Sequence, residues 1–208
     1  MNAKGTGSGF AGLSMLPDQW APLNAFVDVA DKAVLEVGCG MLTQASEVLH
    51  YGGQYTGVDQ RRDVILYNLS QGNHGRYILG PAEKVSRLLA RCRFSVILSI
   101  YGALQFGNAP KILREVRRVS VPNTELLMAG RHPVLQREII GVDQNDIPSL
   151  REYMVGRSSE QVIRMNIAYR EGWERIMREC GWTPIAYDEL ADSSGPISLI
   201  IRARIGAP

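Results

Sequence analysis

The strongest constraint in this chain is an apolar run carrying one acid and ending in a glycine turn, Val34-Leu35-Glu36-Val37-Gly38-Cys39-Gly40. Branched apolar residues that stop at Gly-x-Gly describe a buried parallel strand passing into a tight turn. With no Cβ at Gly38 and Gly40, backbone N–H groups of that turn are expected to approach a ligand. A second apolar stretch, Gln54 to Val58, closes on Asp59 at about the spacing of the neighbouring strand of a βαβ unit. That sets a carboxylate beside the glycine turn. A carboxylate at the tip of a second strand can accept both hydroxyl donors of a ribose, so a nucleoside ligand is the expectation.

The residues around the glycines select the kind of nucleoside. A dinucleotide fingerprint places a third glycine where this chain has Thr43, so NAD is disfavoured. Glu36 would also repel a pyrophosphate, whereas the ammonium of an amino-acid moiety would be attracted. S-adenosylmethionine satisfies both ends.

With these residues in hand, the chain resembles the class I, Rossmann-like S-adenosylmethionine-dependent methyltransferases from about Val34 to its C-terminus. The resemblance implies a doubly wound α/β fold: a mostly parallel seven-stranded sheet with an antiparallel C-terminal hairpin and helices on both faces. It implies that Glu36, Gly38, Cys39 and Gly40 hold the methionine end of the cofactor, and that Asp59 with Gln60 holds the ribose. Gly80-Pro81-Ala82-Glu83, after the short strand Arg76 to Leu79, is similar to the loop that borders the adenine, which assigns Ala82 and Glu83 to the site. Phe94 to Ser99 resembles the fourth strand, with Ser99, Ile100 and the stretch to Phe106 leading past the sulfonium. The family usually carries a third glycine where this chain has Leu42, and a side chain there is expected to narrow the loop or shift the following helix. Ser99 stands where many relatives carry an acid, and no Asp/Asn-Pro-Pro-Tyr motif of base-amino DNA methyltransferases occurs.

The remainder of the chain is compatible with one domain over residues 1–208, comprising a leader and helix at 1–30 and a lid insertion at 133–165. Its 208 residues can enclose one full core, and no apolar run reaches the roughly 18 residues that span a bilayer. A net charge of +2 with interspersed signs offers no broad basic field, so a small-molecule acceptor is favoured and nucleic acid disfavoured. Cys39, Cys92 and Cys180 are widely spaced and odd in number, which suggests neither a disulfide framework nor a metal site, and a cytoplasmic location is expected.

Asp18 to Val27 reads as a helix whose Trp20, Leu23 and Phe26 or Val27 pack on the sheet. Lys111 to Val119 reads as a surface helix with a solvated face of Arg114, Arg117 and Arg118, and Pro122-Asn123 as a turn into strand five, Thr124 to Ala129. Between 131 and 166, Ser149-x-x-Glu152 and Ser158-x-x-Gln161 suggest two capped helices. The second would carry a stripe of Val162, Met165, Tyr169, Trp173, Ile176 and Cys180 as far as Gly181. Pro184 to Leu190 and Ile197 to Ala203 read as a terminal hairpin.

Methyl transfer is an in-line displacement in which orientation supplies much of the acceleration, so catalytic groups leave a weak sequence signal. A hydroxyl acceptor would be helped by a general base, and a histidine matches neutral pH. Of His50, His74 and His132, only His132 follows a central strand, at the end where open α/β sheets bind ligands. Tyr101 and Gln105, just past strand four, are the candidates to face cofactor or acceptor, with Tyr169 behind them. The expected activity is methylation of oxygen or nitrogen on a small molecule. The alternatives are a cofactor-binding relative without catalysis and an enzyme acting on RNA or protein.

Overall fold

A computed structural model describes residues 22–72, 74–133, 151–158, 161–192 and 195–205. The apolar runs become strands β1 (Ala33–Val37), β2 (Gln54–Asp59), β3 (Arg76–Leu79), β4 (Phe94–Ile100) and β5 (Ser120–Arg131), all parallel. Helices α2 (Ala45–His50), α3 (Arg62–Ser70), α4 (Val85–Leu88), α5 (Ala103–Phe106) and α6 (Ala109–Arg118) connect them, following α1 (Leu23–Phe26). A helix α7 (Arg170–Glu179) leads into β8 (Trp182–Asp192) and β9 (Gly195–Ile205), and β9 runs antiparallel to both β5 and β8. The seven-stranded order is β3-β2-β1-β4-β5-β9-β8. Strand order reverses between β1 and β4, and a crevice opens at such a switch point beyond the carboxyl ends of the strands.

Alternation along the strands divides the apolar residues between two layers. Leu35, Val37 and Ile97 face Leu104, Ile112, Leu113, Val116, Trp173 and Met177 of the α5, α6 and α7 layer. Val34, Val96, Leu98 and Ile100 face Leu23, Val27, Ala45 and Val48 of the α1 and α2 layer. Burying each such branched side chain contributes about 1.5–3 kcal/mol, so truncating Leu98 or Ile97 would weaken the platform that carries the crevice. Pairing alternation also fixes the direction of Glu36: between Leu35 and Val37 it must turn toward the α1 and α2 layer.

α6 starts where Asn108 accepts a hydrogen bond from Lys111 N–H at 3.0 Å, with Pro110 in its first turn, and its Arg114, Arg117 and Arg118 are exposed as expected. The Trp182 indole N–H, donating to Leu113 carbonyl at 3.0 Å, ties β8 to α6. The turn expected at Pro122-Asn123 lies within β5, as an irregularity with Asn123 at φ 64°. α1 is confined to Leu23–Phe26; the rest of the helix expected from Asp18, with Trp20, lies outside the described residues. Its last carbonyl, on Phe26, accepts from Arg202 of β9 at 3.0 Å.

The segment expected to hold two capped helices is different. Arg151–Ser158 (β6) and Gln161–Ile167 (β7) form a separate two-stranded antiparallel sheet, and the helix that follows them begins at Arg170. Tyr153, Val155, Val162, Ile163 and Ile167 are β-formers, and pairing the two runs satisfies their backbone groups in a ladder that no side-chain cap can match. The helical stripe is real from Gly172 onward, where Trp173, Met177 and Cys180 are buried. Ser149 and most of the first half of the expected lid lie outside the described residues.

Candidate active site

The loops after β1 and β4 interlock through their glycines. Gly38 has φ 71°, and a Cβ there would stand 2.3 Å from Ala103 N; a Cβ on Gly102 would stand 2.5 Å from Val37 carbonyl oxygen. The N–H groups of Gly38, Cys39 and Gly40, expected from sequence to approach a ligand, bond within the protein. Gly38 and Cys39 N–H donate to Val58 carbonyl at 2.8 and 3.2 Å, and Gly40 N–H donates to Asp59 Oδ2 at 3.1 Å. The strand-to-strand stitching consumes these donors. What the turn offers instead is space, because Gly40, at φ 59°, has nothing within 4 Å of its Cβ direction.

A cavity of about 530 Å³ lies at this place, walled by Gly38, Gly40, Met41, Asp59, Gln60 and Arg61 on one side. Ala82 and Glu83 also line it, and Tyr101, Gly102, Ala103, Phe106 and Gly107 close it from β4 and α5. The Asp59 carboxylate is held from both sides, since Oδ1 accepts Arg61 N–H at 2.9 Å. Two of its roughly four lone-pair positions are thus occupied, which leaves one on each oxygen for a pair of hydroxyl donors. Glu83 Oε1 accepts Asn108 N–H at 3.0 Å. The cation on the wall, Arg61, is paired with Asp63.

Five of the residues assigned from sequence stand behind this wall. Glu36 is buried beneath the loop, where Oε2 accepts from Tyr55 hydroxyl at 2.5 Å, Gln44 N–H at 3.0 Å and Thr43 hydroxyl at 3.2 Å. Its carboxyl is pushed up to about 7, chiefly by burial. Thr43 therefore fills with a hydroxyl the position where a dinucleotide site has a glycine. Cys39 is buried, its sulfur packed against Gly57, and burial raises its thiol far above the ordinary value. Ser99 Oγ accepts Leu104 N–H at 3.1 Å and so starts α5, while Ile100 packs in the α1 and α2 layer. Gln105 is buried beside Gly130. Leu42 points to solvent at 62% exposure, so it neither narrows the cavity nor lines it.

Tyr101 occupies the left-handed region at φ 46°, unusual for a bulky side chain, with its N–H on Ala129 carbonyl at 2.8 Å. Its phenol reaches across to Ser198 on β9, and burial raises its pKa. His132 follows β5, as expected, but is buried and absent from the cavity wall. Its Nε2 lies 3.3 Å from Glu189 Oε1, and its ring meets Tyr169 edge-on. Among the described residues no group of three or more His, Cys, Asp or Glu side chains is arranged to hold a metal ion.

Residues 35–128, which build this glycine loop, carboxylate and cavity, match the family model of the methyltransferase domain. The matched stretch of the chain is a methyltransferase domain. Searched against curated proteins, the sequence has no match. The methyltransferase is similar in structure to a putative S-adenosylmethionine-dependent methyltransferase from Listeria monocytogenes, with a TM-score of 0.70, 14% identity and coverage of 86% of this chain and 93% of that one. It is also similar to the 1,6-didemethyltoxoflavin-N1-methyltransferase of Burkholderia thailandensis, at TM-score 0.65, 18% identity and coverage of 89% and 75%. A Mesorhizobium loti S-adenosylmethionine-dependent methyltransferase aligns at TM-score 0.64, 13% identity and coverage of 85% and 92%. At these identities the likeness is one of fold.

S-adenosylmethionine is the cofactor that a methyltransferase domain implies. The cavity is compatible with it on two observations: the open space above Gly40, and the lone pairs that remain on Asp59 for a diol. Sequence reasoning missed Met41, Arg61 and Gly107 on the wall, whereas Gly102 and Phe106 lie in the stretch it led past the sulfonium. The two glycines flanking α5 were a usable signal. Thr43, Tyr55 and Asn68, which hold the loop from behind, carried none, because their partners are 7 to 28 residues away in sequence.

Proposed function

We propose that this methyltransferase methylates nitrogen or oxygen on a small molecule, with the cofactor's ribose on Asp59 and Gln60, its adenine end toward Ala82 and Glu83, and its methyl toward Tyr101 and Phe106. The observation that carries the reading is the cavity wall. A volume of about 530 Å³ falls in the range of small-ligand sites, and the wall's cation, Arg61, is already paired with Asp63 rather than open to a phosphate backbone. That a structurally similar enzyme from Burkholderia thailandensis acts on 1,6-didemethyltoxoflavin supports the small-molecule class.

When bound, the cofactor supplies an electrophilic methyl: the sulfur–carbon bond breaks, its electron pair stays on sulfur, and the acceptor's lone pair forms the new bond. The protein's part is orientation and exclusion of water. Glu36 acts on the methionine end through the loop, since its side chain lies beneath it. For a hydroxyl acceptor His132 is the proposed general base, held in one orientation by Glu189, and an acceptor reaching it must extend along the tip of β5. For an amine already neutral in the site no base is required.

The test is calorimetry with S-adenosylhomocysteine on the wild type and on Asp59→Ala. Loss of a hydrogen bond to a charged group should weaken binding by on the order of 1.5–3 kcal/mol. Unchanged affinity removes the ribose assignment. Transfer of labelled methyl from S-adenosylmethionine to a panel of small amines and phenols, compared with RNA and protein, tests the acceptor class. Label entering RNA or protein alone would refute it.

A further inference from the structure

We propose that Asn68, on α3, is a positioning residue for the cofactor: its amide holds the Gly40 peptide and so sets the shape of the loop and the direction of Asp59. The inference rests on the reading of this cavity as the cofactor site. Asn68 is fully buried, in line with Val64 and Ile65 on the face of α3 that packs inward. A buried amide in an apolar stripe is costly unless it is bonded. Its Nδ2 donates to Gly40 carbonyl at 2.7 Å, and its Oδ1 has no partner among the described residues. The opposite amide orientation would set two acceptors against each other, so the donor must face the carbonyl.

The same glycine is gripped at its other end. Gly40 N–H donates to Asp59 Oδ2, and Asp59 Oδ1 accepts Arg61 N–H. Strand β2 and helix α3 thus hold both polar groups of a residue whose φ is 59° and whose Cβ direction opens into empty space. Without the Asn68 donor, the carbonyl must turn to find another. Turning it rotates the peptide, loosens the Gly40 hydrogen bond to Asp59, and frees the carboxylate from the direction in which it meets a diol. Binding then carries the reordering that the folded loop now supplies in advance.

The experiment is calorimetric titration of S-adenosylhomocysteine into the wild type, Asn68→Asp and Asn68→Leu, at about pH 8 and about pH 5.5, with thermal unfolding recorded for each. In Asn68→Asp the ionised carboxyl repels the carbonyl, but when protonated it regains a donor, and burial raises the pH at which this happens. The expected result is affinity about 10-fold or more weaker at the higher pH and recovered to within about three-fold of the wild type at the lower one, the scale of one hydrogen bond. Asn68→Leu, near-isosteric and without a donor, should lose a similar factor at both pH values, and it decides the matter if Asn68→Asp does not fold at the higher pH. Wild-type affinity in Asn68→Leu, or a loss in Asn68→Asp that ignores pH, overturns the positioning role. A wild type that does not bind S-adenosylhomocysteine overturns the cofactor reading of the cavity itself.

Discussion

Replacing Glu36 with glutamine separates a residue that touches the cofactor from one that supports the loop from beneath. In the folded protein burial raises this carboxyl from its ordinary value near 4.5 to about 7. On unfolding it returns to the ordinary value. Between those values the unfolded chain releases the proton and the folded protein keeps it, so stability falls as pH rises from about 4.5 to about 7 and then levels off. The full difference is on the order of 3 kcal/mol. Glutamine cannot ionise, and its carbonyl oxygen can still accept from Tyr55, Gln44 and Thr43, which converge on the single oxygen Oε2. Urea unfolding of both proteins at several pH values should therefore give curves that converge in acid and separate above neutrality, with the variant the more stable. Taking the difference cancels other groups that titrate, including Glu47, whose carboxyl burial also raises. Affinity for S-adenosylhomocysteine should change by less than about three-fold, whereas a lost contact with the ammonium would cost about 10-fold or more. Parallel stability curves, or a large loss of affinity without a change in pH slope, would refute the supporting role.

Gly38→Ala should destabilise the protein by more than about 2 kcal/mol in chemical denaturation, because a Cβ there meets Ala103 N at 2.3 Å and φ is 71°; normal stability would mean the two loops are not interlocked. If a hydroxyl acceptor is found, His132→Ala should lower turnover by roughly 100-fold with cofactor affinity unchanged, and an equal fall in binding would make the histidine a shaper of the pocket instead. Asn166 at the end of β7 donates to Leu104 and Gly107 carbonyls at 2.8 and 2.6 Å, tethering the β6–β7 pair to the wall that carries Phe106. Asn166→Ala should raise hydrogen exchange across residues 103–107, and unchanged protection there would dismiss the tether.

The order of elements, the glycine turn and the acid at Asp59 were legible because each depends on near neighbours in sequence: strand periodicity, a turn that excludes Cβ, a carboxylate at a strand end. The β6–β7 pair was not legible. Its two runs carry capping-box spacings that favour a helix locally, and the ladder that overrides them exists only once Arg151 meets Ile167. The direction of Glu36 was not legible for a related reason. Its place beside the glycines is a fact of sequence, but whether it faces ligand or core depends on which side of the sheet β1 presents to α2.

The amino-acid sequence by itself determined the class of fold and the kind of ligand, through the alternation of strands with helices and the acid-glycine-acid arrangement from Glu36 to Asp59. Only the tertiary structure decided how those residues work. It turned the loop N–H groups onto Val58 and Asp59, set Thr43 and Tyr55 on Glu36, placed Asn68 on Gly40 and buried His132 beside Glu189. Local chemistry chooses conformations residue by residue, whereas a buried polar group must find its partner wherever packing brings one, and that partner is seldom close in the chain.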